Sequence, residues 1–329
     1  MAHSLGPKNT VRNDDYLLVA KVDNVANLSK VLKAVSFQET ATCFASDNGI
    51  KMVVEDSRCI QASAFVCADV FEDYKVKEDP VIFRVNLSTL IECLTIFDGV
   101  SSTPGASTAV KLKYRQHGSP LQVLLEEEGY ITDCSLKTME AFELLDFDLP
   151  PSSVLNKLIL RSQSFHEDIC DLDPSSEFVE IFMSPDPPYF KIKTVGNWTE
   201  CNVKINKNSD MVETFQCQDT SRGRYKYTQI KPMLKPLAVS DKVSIRTDCE
   251  GLLCFQFMIH TENKQLCYVE YFVSNSFIVS HSFIVGTYPW CLDQENPVFV
   301  RVEKFERKIR ESAAETGNFF FYRFETYLP

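Results

Sequence analysis

The sequence predicts an α+β fold in which one antiparallel unit, a sheet carrying two helices, is used twice. Three observations predict it. Short apolar runs with period-two alternation recur between turn signals, as half-buried strands require. A few longer segments place apolar residues at helical spacing instead. The order of elements in the first half returns in the second with a shift of about 135–145 residues.

Tyr16–Val22 is an apolar strand. Asn24–Ser36 sets Val25, Leu28, Leu32 and Val35 on one stripe, with Lys30 and Lys33 off it, which is an amphipathic helix. Thr42–Ser46 and Ile50–Glu55, joined by Asp47-Asn48-Gly49, make a hairpin. Cys59–Phe71 alternates through Ile60, Ala62, Ala64 and Val66 as a long strand. Pro80–Asn86 is another strand and Leu87–Phe97 a second short helix. Val110–Arg115, Leu121–Glu127 and Tyr130–Leu136 close the first half as successive strands.

In the second half, Asn156–Arg161 stands where Tyr16–Val22 stood, and Ser164–Asp173 where the first helix stood. Phe178–Met183 and Tyr189–Thr194, joined by SPDPP, repeat the hairpin. Arg222–Gln229 followed by a helix over Ile230–Ala238 matches the later strand and helix, and Lys242–Thr247, Leu252–His260 and Leu266–Val273 match the closing strands. The expected division is an N-terminal segment 1–13, repeat one over 14–137, a linker 138–151, repeat two over 152–275, and a divergent extension 276–329. The linker carries Glu140, Glu143, Asp146 and Asp148, no basic residue, and a terminal Pro-Pro, which suits a surface crossing. SFIV occurs twice in the extension, and the earlier repeat requires nothing there; a client-binding extension, an extra packed element and an alternative terminus are the readings open, the last favoured because the repeat ends abruptly.

The chain has 329 residues, 44% hydrophobic and 24% charged, an ordinary globular composition. Its 12 cysteines include no C-x-x-C and often sit inside apolar runs, as in ATCFA and LLCFQF, so they read as buried thiols of a reducing compartment. No secretory leader and no uncharged apolar stretch of membrane-spanning length is legible, so a soluble intracellular protein without a membrane partner is expected. Only 11 glycines leave few tight phosphate-cradling turns, and the phosphate-loop, dinucleotide and hydrolase-elbow motifs are all missing.

No cofactor, metal or catalytic residue is therefore assigned. The five histidines lack partners at ligand spacing. Acidic groups at Asp14-Asp15, at Glu126–Glu128 and around Glu167, Asp168, Asp171 and Asp173 are weighed as carboxylates for a two-metal nuclease. A solvated surface explains them more simply.

The formal net charge of −11 argues against a generally basic nucleic-acid binder. The excess acid lies mainly in residues 1–150, however. Residues 222–246 hold Arg222, Arg224, Lys226, Lys231, Lys235, Lys242 and Arg246 against the single acid Asp241. One positive face could therefore meet a phosphate backbone while the rest of the surface repels it.

These features together resemble the DNA sliding clamps, relatives of proliferating cell nuclear antigen. DNVANLSKVLKAVSFQETATCFASDNGIKMVVED, VIFRVNLSTLIECLTIF, MSPDPPYFKI, KVSIRTDCEGLLCFQFMI and CYVEYF resemble the Rad-one branch, which serves the heterotrimeric checkpoint clamp called nine-one-one. The resemblance covers about residues 14–275 and stops before the extension.

The resemblance implies a duplicated clamp fold, with antiparallel sheets outside and two helices per repeat lining a central hole. It implies a nuclear protein of the DNA-damage checkpoint and of repair, without enzymatic activity. The implied partners are two other clamp subunits, a clamp loader, double-stranded DNA through the ring, and repair and signalling clients. Lys30, Lys33, Lys231 and Lys235 are the expected DNA-facing residues, since a sliding contact needs attraction to phosphates without base readout. Subunits of such rings join through edge strands, here Tyr130–Leu136 (Tyr130, Ile131, Cys134, Leu136) and Thr199–Ile205 (Cys201, Val203, Ile205). Leu144, Leu145, Phe147 and Leu149 either line a client groove or tack the linker down. The competing readings are a 3′→5′ exonuclease, an activity attributed to members of this family, and a scaffold without DNA contact.

Overall fold

The computed structural model describes residues 15–97, 107–145, 147–262 and 264–274. The expected segments 1–13 and 276–329 lie outside the described residues. In the first half, β1 (Leu18–Val22), α1 (Val25–Ala34), β2 (Thr40–Ser46), β3 (Gly49–Asp56), β4 (Ile60–Cys67), β5 (Asp73–Val76) and β6 (Val81–Asn86) lead to α2 (Leu87–Leu94). Then come β7 (Ala109–Tyr114), β8 (Leu121–Glu127) and β9 (Tyr130–Leu136), with a two-residue β10 (Thr138–Met139) beyond them.

The second half runs β11 (Asn156–Arg161), α3 (Ser162–Cys170), β12 (Phe178–Met183), β13 (Phe190–Val195), β14 (Glu200–Ile205), β15 (Val212–Cys217) and β16 (Ser221–Lys226). It continues with α4 (Tyr227–Ile230), α5 (Leu234–Val239), β17 (Lys242–Thr247), β18 (Leu253–His260) and β19 (Leu266–Val273). Apart from β10 and the division of the last helix, the order of strands and helices is the same in both halves.

Pairing repeats as well. One sheet runs β5-β1-β7-β8-β9, and its counterpart β15-β11-β17-β18-β19 appears inside a ten-stranded sheet. The set β6-β2-β3-β4 has the counterpart β16-β12-β13-β14, which stands alone as a four-stranded sheet. The two halves are welded where β19 pairs antiparallel with β4, from Tyr268 opposite Phe65 to Val273 opposite Ile60. A continuous backbone ladder therefore crosses from one repeat to the other.

The helices pack on one side of this sheet system, α1 against β4 and β19 and α5 against β18. Alternation explains the burial. In β4, Ile60, Ala62, Ala64 and Val66 face the helices, and in β18 Leu253, Phe255, Phe257 and Ile259 do so, all 3% exposed or less. Asn24 caps α1 by accepting from the Ala26 amide at 2.9 Å, and Asn86 caps α2 through the Thr89 amide at 2.8 Å.

Three expectations are corrected. The helix over Ile230–Ala238 is broken into α4, a 3-10 turn at Lys231–Met233, and α5. Pro232 lacks the amide hydrogen that a continuous helix would use there. The strand expected to run from Cys59 to Phe71 stops at Cys67, where a 3-10 turn at Ala68–Val70 takes over. Beyond the expected strands, β5 and β15 add an outer strand of mixed polarity to each repeat.

Candidate nucleic-acid and assembly interfaces

The helix layer brings the four lysines to one side of the sheets but gives them different jobs. Lys33 and Lys231 are exposed. Lys30 is half-buried and stands near β19, where it opposes a rise in the Cys267 pKa. Burial, helped by Cys67, still pushes that thiol up to about 11. Lys235 reaches from α5 to the end of α1, its Nζ donating to the Ser36 carbonyl at 2.6 Å. Ser36 Oγ in turn donates to the Lys33 carbonyl at 2.8 Å. Ser36 thus links Lys235 to the backbone of Lys33 where helices of the two repeats touch, and Lys235 satisfies a carbonyl just past the C-terminus of α1.

The basic stretch 222–246 does not form one face. Arg222, Arg224 and Lys226 alternate outward on β16, whereas Lys231 and Lys235 belong to the helix layer. Lys242 pairs with Glu213 at 2.7 Å, and Arg246 with Glu270 at 3.0 Å. Strand alternation followed by a turn into helix splits what is contiguous in sequence.

β9 is the last strand of its sheet and β14 the last of the four-stranded sheet, and neither has a partner on its outer side among the described residues. Tyr130 and Ile131 are 74% and 68% exposed, and Trp198, just ahead of β14, is 95% exposed. Cys134, Cys201 and Val203 are half-buried against the core, while Leu136 and Ile205 lie inside it at 6% and 4% exposure. The last two therefore hold the edges in place, and other residues of these strands face outward.

The linker is tied down at successive points across the outer face of the ten-stranded sheet. The Arg84 guanidinium lies 3.8 Å from the centre of the Phe142 ring. Glu55 Oε1 accepts from the Leu145 amide at 2.8 Å, and Gln61 Nε2 donates to the Leu145 carbonyl at 2.7 Å. Phe147 stacks on Phe272 at 6.3 Å, and Leu149 is buried with Leu252, Cys254 and Phe272. Leu144 is half-buried. Phe147 and Leu149 are thus tacks, already occupied within the chain.

Beside the linker lies an open depression of about 250 Å³ lined by Lys51, Ser63, Phe65, Gln256, Tyr268 and Glu270. It straddles the β4–β19 weld. Glu270 accepts there from Arg246 and from Gln256, each at 3.0 Å. Sequence reading missed these residues, although the alternation of Gln61, Ser63 and Phe65 with buried alanines already assigns them to the outer face.

Of the weighed carboxylates, Asp14 lies outside the described residues, and the others form no metal-holding group. Among the described residues no group of three or more His, Cys, Asp or Glu could hold a metal ion. Glu127 is buried and accepts from the Thr108 hydroxyl. Burial raises the Asp168 carboxyl, with Asp171 and Glu167 adding repulsion. Hydrogen bonds, first from Thr199 and then from Ser175, lower that of Asp173.

With this geometry in hand, comparison with known proteins is specific. A family model described as repair protein Rad1/Rec1/Rad17 matches residues 17–259. The chain is 48% identical to the human cell cycle checkpoint protein RAD1 over 79% of its own length and 92% of that protein. It is likewise 48% identical to the mouse protein of that name, over 80% and 94%. A more distant relative, at 20% identity over 74% of this chain and 87% of its own, is named DNA repair exonuclease REC1 in Mycosarcoma maydis.

Proposed function

The chain belongs to the Rad1/Rec1/Rad17 family of repair proteins, has its clamp fold and serves as a checkpoint-clamp subunit in DNA damage and repair, and from that premise we propose how it works. It joins two different subunits head to tail into a nuclear ring that a loader closes around double-stranded DNA. The activity is topological: encirclement replaces tight grip, and the outer surface recruits clients, some through the depression beside the linker.

The observation that carries this reading is the weld between β4 and β19. It joins the fourth strand of one repeat to the last strand of the other. By the repeat's own symmetry the same roles fall to β14 and β9, and these two strands have unpaired outer sides. Among the described residues, each open edge lacks the partner that its counterpart finds within the chain. An unpaired edge is a template for another strand, so the molecule has one socket at each end. The helix layer, carrying Lys30, Lys33 and Lys231, would then line the hole.

Coexpression with the two candidate partner subunits tests this. Size-exclusion chromatography with mass measurement should give a 1:1:1 ring. Tyr130→Asp with Ile131→Asp should release one partner and keep the other, and Trp198→Asp with Cys201→Asp should do the reverse. Lys33→Glu with Lys231→Glu should shorten retention on circular DNA while leaving the ring intact. Loss of both partners from a single-edge variant, or of neither, would sink the two-socket arrangement. The exonuclease reading has only the name of a relative at 20% identity behind it, with no metal-holding carboxylate group among the described residues, and no observation favours the DNA-free scaffold.

A further inference from the structure

The three cations of β16 do not stand alone. Register places Arg222 and Phe182, Lys191 and Lys204 in one row across the four-stranded sheet, and Arg224, Glu180, Lys193 and Asn202 in the next. Lys226 lies at the end of β16 beside Phe178. The outward positions of these strands thus hold the cations Lys191, Lys193, Lys204, Arg222, Arg224 and Lys226 against the acids Glu180 and Glu200. This excess of positive charge sits on a protein whose formal net charge is −11.

The two acids are committed. Glu180 has only 16% of its side chain exposed, beneath Arg222 at 2.6 Å and Lys191 at 3.5 Å. Lys193 lies 2.8 Å from Glu200. The aromatic rings are covered as well, Phe178 by the Arg224 guanidinium at 4.0 Å and Phe182 by the Lys191 ammonium at 5.4 Å. Arg222 keeps 69% of its side chain exposed despite its ion pair, and Lys204, Arg224 and Lys226 are exposed too.

We propose that this outward sheet face docks a short, extended, Asp/Glu-rich segment of a partner protein. Its size selects that occupant. Four strands at about 4.8 Å spacing and three rows about 6.8 Å apart give a face roughly 14 Å square. That is about a quarter of the ~800 Å² a folded partner contributes to a stable interface. An extended segment crosses it in four or five residues at about 3.4 Å each. Duplex DNA draws its affinity from many phosphates, and single strands from free aromatic faces. This face is too small for the first, and its rings are already capped. The cations are spread over the rows rather than converging on one point, which suits spaced carboxylates better than a single phosphate group.

The test is fluorescence anisotropy of a labelled octapeptide of alternating Asp and Glu, titrated with the full chain at low and at physiological salt. Saturable, salt-weakened binding is expected. Lys191→Glu with Arg222→Glu should weaken it by about tenfold or more, and Arg115→Glu, on the first repeat, should leave it unchanged. If the double reversal fails to fold by thermal melting, Lys191→Gln with Arg222→Gln carries the test and should still weaken binding severalfold. The proposal is overturned if the folded variants bind as the parent does. It is also overturned if a phosphoserine peptide of otherwise neutral sequence binds where the Asp/Glu peptide does not, or if duplex DNA binds more tightly with the same sensitivity to the substitutions.

Discussion

Replacing Lys235 by Met separates two lysines that the sequence presents as equals. The thioether keeps most of the stem and removes the ammonium, so the change isolates one contact. Lys235 Nζ donates to the Ser36 carbonyl at 2.6 Å, joining α5 of repeat two to the end of α1 in repeat one. A hydrogen bond from a charged donor contributes about 1.5–3 kcal/mol when shielded, and a cation at a helix C-terminus about 0.3–1 kcal/mol. Because this site is exposed, a net loss of about 1 kcal/mol follows, toward the lower end of those ranges. With a urea slope near ~3 kcal/mol per molar for a chain of this size, the unfolding midpoint should fall by about 0.3 M. Lys231→Met, at an exposed position with no such bridge, should leave the midpoint within error. Equal shifts for the two variants, or none for Lys235→Met, would refute the argument that Lys235 is a structural tie between repeats.

Two further outcomes follow from the packing. Leu149→Ala removes a side chain buried with Leu252, Cys254 and Phe272, a loss of about 2–3 kcal/mol if the site stayed fixed. The linker can lift away instead, so the main effect should be faster amide exchange and proteolysis near residues 140–150, with a smaller change in the global midpoint. Glu180 offers a pH test: burial alone would raise its carboxyl, but Arg222 and then Lys191 outweigh that and hold it below the usual carboxylate range. Its contribution is therefore whole above that range and is lost as pH falls through the depressed one. Glu180→Gln should lower the urea midpoint at neutral pH and flatten its acid limb; an acid limb as steep as the parent's would remove Glu180 from the account.

Much of the fold was legible because burial follows simple periods. Leu121–Glu127 and Tyr130–Leu136 keep the bounds read from alternation, and α1 lies within its expected stripe. Elements that escaped notice lack that signal. β5 is four residues of mixed polarity, Asp-Tyr-Lys-Val, and β15 has no fully buried residue; outer strands need only one neighbour. The candidate sites were less legible, because a lysine's composition says nothing of what its ammonium reaches. Both Lys231 and Lys235 are exposed, and what sets Lys235 apart is a bond to Ser36, 199 residues away along the chain. Likewise, Arg222 and Lys235 belong to one basic run, and only the turn from β16 into α4 sends them to different surfaces.

The weld between β4 and β19 has a mechanical consequence. Backbone hydrogen bonds carry load across the middle of the subunit, where many domain pairs have only a flexible tether. Such a subunit is stiff between its repeats, with a continuous ladder in place of a hinge. In the proposed ring, such subunits leave compliance only at the seams, so any gate that admits a DNA duplex must be cut between subunits. The socket that holds the subunits of this proposed ring together is then also the part that has to let go.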